Sequence, residues 1–195
     1  MTKWKDKDER VNEIAQAAVD VFLEKGYDGA SMDLIAKRAG ISKGGLYHHF
    51  TNKDEILYAA NMMLSEQNRL IIIRAGEQKD AAEGLRLYIR EYIQYWLTQK
   101  KALAFVFLTF TKAMQNSETG KYFAQYYKET TDFLDGLFRK GIKDGVFLPH
   151  DSRAGAVILQ SALDGVLAYC AIDDGTKPSK IIKDFQDKFV NIHLR

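Results

Sequence analysis

The sequence predicts an all-α fold of about nine helices, and three observations carry that expectation. Apolar residues recur at three- and four-residue spacing along the chain, the period of an amphipathic helix. Only two prolines occur in 195 residues, and neither interrupts a helical pattern. The breaks between periodic stretches carry helix start and stop signals, and no stretch reads as a strand.

Taken in order, the first helix places Val11, Ile14, Ala15, Ala18 and Phe22 on one face and leaves Asp20, Glu24 and Lys25 largely outside it. After Gly26-Tyr27 the chain turns to Ser31, whose hydroxyl can cap a second helix carrying Leu34, Ile35 and Ala39. Gly40 stops that helix at a tight turn, and Ser42 caps a third. Leu46 and Phe50 face inward on the third helix, while Lys43, Tyr47 and His48 are left for outside contacts. The first helix therefore supports the others by burying its stripe against Ile35, Leu46 and Phe50, each large apolar side chain contributing on the order of 1.5–3 kcal/mol.

A fourth helix opens at Asn52-Lys53. Asp80 with Glu83 forms a capping box before Leu85–Trp96, and Ser117 caps a long helix running through Leu137. Asp144-Gly145 ends it, Pro149–Ser152 leads into Arg153–Gln160, and Pro178 opens the last helix. No repeat, low-complexity segment or linker appears. Two domains are expected, 7–67 and 68–195, sharing the helix that begins near Lys53.

Composition excludes several classes of function. With 46% hydrophobic residues the chain can bury a core. The apolar runs, such as Leu70–Ile73 before Arg74, fall short of the roughly 20 residues that cross a bilayer. The charged N-terminus lacks the apolar core of a signal peptide, so a cytoplasmic protein without membrane contact is expected. Cys170 is the single cysteine and, among apolar helical neighbours, reads as an inert buried thiol. His48, His49, His150 and His193 show no i to i+4 pairing that would place two metal ligands on one helix face. With no glycine-rich phosphate loop or nucleophile elbow either, the expectation is no enzyme, no metal and no cofactor.

A net charge of +2 says little, so its distribution carries the argument. From Leu34 to Lys53 the chain holds Lys37, Arg38, Lys43 and Lys53 and no acidic residue, the balance a DNA-facing surface needs. Lys3, Lys5, Lys7 and Arg10 add a basic tail, diluted by Asp6, Asp8 and Glu9, that either contacts phosphate or is simply solvated.

From about Arg10 to Asn61 the chain resembles the DNA-binding domain of the TetR family, the tetracycline-repressor-like bacterial regulators. The ordered combination of Gly26-Tyr27, Ala39-Gly40-Ile41-Ser42, Leu46-Tyr47, Phe50 and Asn52-Lys53 carries the resemblance. It implies an N-terminal three-helix helix-turn-helix domain, a larger C-terminal helical bundle for ligand binding and dimerisation, and a transcriptional regulator of double-stranded operator DNA. Ser31, Ser42, Lys43, Gly44, Gly45, Tyr47, His48 and Lys53 form the expected DNA-contacting set. Lys43 can donate to guanine O6 and N7 or to a phosphate, and His48 can face base or backbone. The family places Tyr47 and Lys53 on phosphates, while His49 is expected to pack. Gly44 and Gly45 each cost about 1 kcal/mol in a helix, which close approach to DNA explains.

Fourteen of the 23 aromatic residues lie between Leu85 and Leu148, and tyrosine-rich clusters suit an amphipathic pocket. Tyr92, Trp96, Phe110, Met114, Tyr126 and Gln160 are the expected ligand-binding residues. With no buried charge standing out in the sequence, an apolar or aromatic inducer is expected. Ala154, Ile158, Ala162, Gly165 and Tyr169 form one face, and Ile182, Phe185, Phe189 and Ile192 another. An internal core could use both, but the resemblance makes them a homodimer interface and implies a repressor on a palindromic operator, released by a small molecule. The alternative is a ligand-independent architectural or partner-regulated DNA-binding protein of the same fold.

Overall fold

The structure, a computed structural model, describes residues 7–115, 117–173, 175 and 177–194, without the side chains of residues 7 and 117–119. Among the described residues are nine α-helices and no strand: α1 (Lys7–Gly29), α2 (Met32–Arg38), α3 (Lys43–His49), α4 (Lys53–Gly76), α5 (Ala81–Thr98), α6 (Lys100–Gln115), α7 (Ser117–Lys143), α8 (Ser152–Ile172) and α9 (Pro178–Phe189). A 3-10 turn, Asn191–His193, follows α9. The cap assigned to Ser117, the tail positions Lys3 and Lys5 and the side chain of Lys7 fall outside what the structure describes.

The chain forms two compact units. The first comprises the residues up to Glu66 together with Ala104–Phe123; the second comprises Gln67–Leu103 and the residues from Ala124 onward. Residues 104–123 thus group with the first sixty-six, which no local pattern in the sequence announces. In the first unit Ile14, Ala18 and Phe22 are fully buried with Ile35, Leu46 and Ile56, and Phe105 of α6 joins them. The Phe22 and Phe105 rings are 6.1 Å apart. Gly26, at φ 68° and ψ 172°, breaks the helical path of α1 in a conformation that only glycine adopts readily.

In the second unit Leu85, Tyr88, Ile89, Ile93, Leu134, Phe138, Leu159 and Leu163 are fully buried. Asp80 caps α5 by accepting from the Glu83 N–H at 2.9 Å. The reciprocal half of the expected box is not seen, because the Glu83 carboxylate accepts from Arg86 at 2.7 Å instead. Gly145, at φ 72°, follows the end of α7, and Asp151 caps α8 through the Ala154 N–H.

One helix, α8, is 21 residues long and contains an 18-residue stretch of mean hydropathy 1.6, enough by length and composition alone to cross a bilayer, as the apolar core helix of a folded unit also is. Charges at Arg153 and Asp164 lie inside it, so reading for uninterrupted runs missed it. Its apolar residues serve two faces. Ala156, Leu159, Leu163 and Leu167 are buried in the unit, while Ile158, Tyr169 and Ile172 are exposed.

Candidate DNA-reading helix and ligand cleft

α2 and α3 are short helices made possible by their caps. The Ser31 hydroxyl accepts from the Leu34 N–H at 3.2 Å and the Ser42 hydroxyl from the Gly45 N–H at 3.1 Å. Gly40, at φ 67°, turns the chain between them, and the Ile41 N–H closes on the Ala36 carbonyl at 3.0 Å. Leu46 then anchors α3 fully inside the core, and Phe50 seals its end. That anchoring turns Lys43, Tyr47 and His48 outward, all exposed, whereas His49 is half-buried.

The two glycines have different surroundings. A Cβ on Gly44 would meet nothing within 4 Å, whereas one on Gly45 would lie 3.3 Å from the Ser42 Oγ. A Cβ on Gly45 would therefore need the Ser42 hydroxyl, the cap of its own helix, to give by a few tenths of an ångström.

The cations of the tract do not all stand clear of acids. Lys43 pairs with Asp33 at 2.8 Å, and this bond holds its ammonium pKa above the usual lysine value. Arg38 makes a two-pronged pair with Glu24 at 2.9 and 2.7 Å. Both acids lie just N-terminal to the segment Leu34–Lys53, so a count within that segment misses them. Lys37 is exposed.

Lys53 is committed to the fold. Its ammonium donates to the Tyr27 and Ala30 carbonyls at 2.8 Å each and sits 4.4 Å from the centroid of the Tyr27 ring. Tyr27 in turn stacks on Phe22 and donates to Asp54 at 2.5 Å; burial first, then that carboxylate, pushes the phenol pKa up. Lys112 of α6 lies over the same ring at 4.1 Å, a contact absent from the sequence reading. Asn52 caps α4 through the Glu55 N–H at 2.9 Å, and Glu55 accepts from both the N–H and the hydroxyl of Thr51.

In the second unit a polar seam joins α5 and α8. The Tyr88 hydroxyl donates to the Gln160 Oε1 at 2.8 Å, and the Gln160 Nε2 donates to the Tyr92 hydroxyl at 3.1 Å and to Asp164 at 3.0 Å. Tyr92 donates to Asp164 at 2.7 Å, and the Tyr127 phenol adds a further bond. Burial raises the Asp164 pKa above the ordinary aspartate value, opposed by these donors. Gln160 and Tyr127 also line an open cleft of about 390 Å³ with Ala124, Thr131, Val157 and Ser161. Lys128 and Arg153 stand at that cleft too, and each pairs with Asp132 at 2.6 Å.

Of the expected ligand residues, Tyr92 and Gln160 belong to this seam. Tyr126 hydrogen-bonds with Tyr92, and Trp96 packs edge-on against the Tyr92 ring at 6.3 Å. Phe110 and Met114 belong to the first unit, where Phe110 lies 6.1 Å from Phe123 and Met114 is 76% exposed. Asp164, half-buried, adds to the seam a carboxylate that the sequence pattern did not single out. Its signal was its position one turn after Gln160, in a mostly apolar helix. On the expected pairing face Ala154, Ile158, Gly165 and Tyr169 are exposed and Ala162 is half-buried. Ile182 is only 9% exposed and belongs to the unit's own core, while Phe185 and Phe189 are half-buried and stack at 5.5 Å.

A capped two-helix turn with one face locked in a core and the other open defines a helix-turn-helix protein. Residues 14–60 match the family model for bacterial regulatory proteins of the tetR family. The chain is 30% identical over 145 residues to the fatty acid metabolism regulator protein of Bacillus subtilis, covering 72% of each chain. It is 43% identical over 67 residues to the B. subtilis regulator PksA, a match spanning only 33% of that protein. FadR of B. subtilis, solved in complex with stearoyl-CoA, superposes with a TM-score of 0.77 at 22% identity, covering 92% of this chain and 97% of that one. The chain belongs to the TetR family, and it is a DNA-binding transcriptional regulator.

Proposed function

We propose that the protein is a homodimeric repressor that binds a near-palindromic operator through α3 and releases it when a small molecule occupies the second unit. The observation that carries the DNA-reading part is the geometry of α3: Leu46 is fully buried, and Lys43, Tyr47 and His48 share the opposite, open side. The N-terminal residues of such a helix enter the major groove. In this reading Lys43 exchanges Asp33 for a guanine edge, Tyr47 grips a phosphate, and His48 contacts base or backbone. Ser31 and Ser42 set the helix starts beside the backbone. Lys53, with two donors held by carbonyls, offers its third to a phosphate, while Gly44 lets α3 approach DNA closely.

DNA binding is assigned to residues 7–67, with residues 104–123 packed onto them, and ligand binding and pairing to 68–195. The exposed stripe of Ala154, Ile158, Gly165 and Tyr169 on α8 supports the pairing role, since a two-fold axis lets one such face cover another. The ligand role rests on the cleft at Gln160 and Tyr127 and on two likenesses, to a regulator of fatty acid metabolism and to a fold that holds stearoyl-CoA. A hundredfold release of DNA requires the inducer to favour the non-binding state by about 2.7 kcal/mol.

Selection of bound sequences from a random DNA pool with the purified protein, at two salt concentrations, tests this reading. Enrichment of a near-palindrome with steep salt dependence is expected. Weak binding, equal on all sequences, would contradict it.

A further inference from the structure

The open cleft of the second unit lies between α7 and α8, and its lining is graded from one end to the other. On α7 it takes Ala124, Tyr127 and Lys128, spaced as one helical face, and on α8 it takes Arg153, Val157 and Ser161 at four-residue intervals. Arg153 meets Asp132 at 2.6 Å, whereas Tyr127 hydrogen-bonds to Asp164, so the two helices run antiparallel here. Lys128 reaches the same Asp132 carboxylate at 2.6 Å, which draws both cations to one end. Val157 follows in the middle, and Ala124 and the Tyr127 ring stand toward the other end.

Asp132 accepts from each cation through a different oxygen, Oδ2 from Lys128 and Oδ1 from Arg153. One carboxylate against two cations leaves one positive charge at that end of the cleft. These bonds use one donor of each cation, out of three on an ammonium and five on a guanidinium, so further donors remain. The buried floor offers nothing comparable, because both amide hydrogens of Gln160, 1% exposed, are given to Tyr92 at 3.1 Å and to Asp164 at 3.0 Å. At about 390 Å³ the cleft is small for a ligand site, where roughly 300–1,000 Å³ is usual. Its α8 face is also distinct from the exposed stripe of that helix. Arg153, Val157 and Ser161 each precede a stripe residue by one position, about 100° round the helix axis.

Resting on the ligand-controlled regulator described above, we propose that this cleft binds a compact monocarboxylate with an apolar body. Its head takes further donors of Arg153 and Lys128 in charge-assisted bonds, for which the guanidinium fork is shaped. Its body covers Val157 and the Tyr127 ring. A single negative charge neutralises the excess at the cationic end, whereas a second would face Asp132 with nothing to offset it. Asp132 thus holds the two cations together and competes with the ligand for them.

The test is isothermal titration calorimetry of the full chain, without DNA, using 4-phenylbutyrate and 4-phenylbutyramide at neutral pH. The carboxylate is expected to bind at least about tenfold more tightly, a difference of about 1.4 kcal/mol. Arg153→Gln should bring the two within about threefold by weakening the carboxylate. Asp132→Asn should act in the opposite sense, tightening the carboxylate about threefold or more and leaving the amide little changed. Both side chains are exposed, and a thermal melt of each variant checks its fold. The comparison of the two probes on the native protein stands without any variant. Equal affinities, a preference for the amide, no binding of either probe, or a carboxylate weakened by Asp132→Asn would overturn the proposal. Operator selection is read without any probe. Its failure beside successful carboxylate binding would sink the regulator reading, and the converse would sink this site alone.

Discussion

Lys43 is held by Asp33 before any DNA arrives, so its contribution to binding is a difference between two partners. Asp33→Asn removes the competing carboxylate and a charge that opposes phosphate. Non-specific affinity should rise, and the slope of log K against log salt should steepen by about 1 if the freed ammonium adds one phosphate contact. Fluorescence anisotropy on a scrambled duplex across a salt series would read this, and an unchanged slope would remove Asp33 from the account. Lys53 behaves differently because the two carbonyls at 2.8 Å make it part of the fold. Lys53→Ala should lower unfolding free energy by about 1–3 kcal/mol in urea denaturation, since charge-assisted bonds are lost, as well as weakening binding to every sequence. Normal stability with weakened binding would restore a purely phosphate-contacting role.

At the scale of elements, α3 has seven residues, too few to persist alone, and depends on its cap and on Leu46. Ser42→Ala should cost about 1 kcal/mol and reduce specific binding more than non-specific binding, measured by denaturation and anisotropy together. The end of the chain carries its own pH dependence. His193 stacks on His150 at 4.1 Å, and burial, then the neighbouring imidazole, holds its pKa below 6.5. The neutral ring is therefore favoured by folding. Its contribution is present above pH 6.5 and is lost as pH falls through the lowered value. Melting temperature should thus drop from pH 7.5 towards pH 5 by more in the native protein than in His193→Gln, and equal drops would argue against it. Helix starts were legible where one side chain sufficed, as at Ser31, Ser42, Asp80 and Pro178. Reciprocal or distant partners were not. Glu83 turned to Arg86, Lys43 to Asp33 and Lys53 to two carbonyls of the α1–α2 turn, because such choices depend on packing between elements.

For the whole molecule, the all-helical class and the helix-turn-helix were legible because both rest on local period and caps. The grouping of Ala104–Phe123 with the N-terminal residues was not, since it depends on Phe105 packing on Phe22 across more than eighty residues. Nor was the polar seam, where Asp164 is distinguished from a solvated aspartate only by what α5 and α7 bring to it. Pairing belongs to this scale too. Ile158→Glu, at an exposed apolar position of α8, should shift the protein to monomer in sedimentation velocity and sharply reduce operator affinity; an intact dimer would move the interface elsewhere. The central claim is that α3 reads sequence, and it is tested most directly by titrating the selected operator and a scrambled duplex with native protein and Lys43→Ala. The account predicts that Lys43→Ala narrows the affinity ratio between the two duplexes by about 5–100-fold, the 1–3 kcal/mol of a base contact. Equal loss on both duplexes would contradict base reading by Lys43 and reduce it to a phosphate contact.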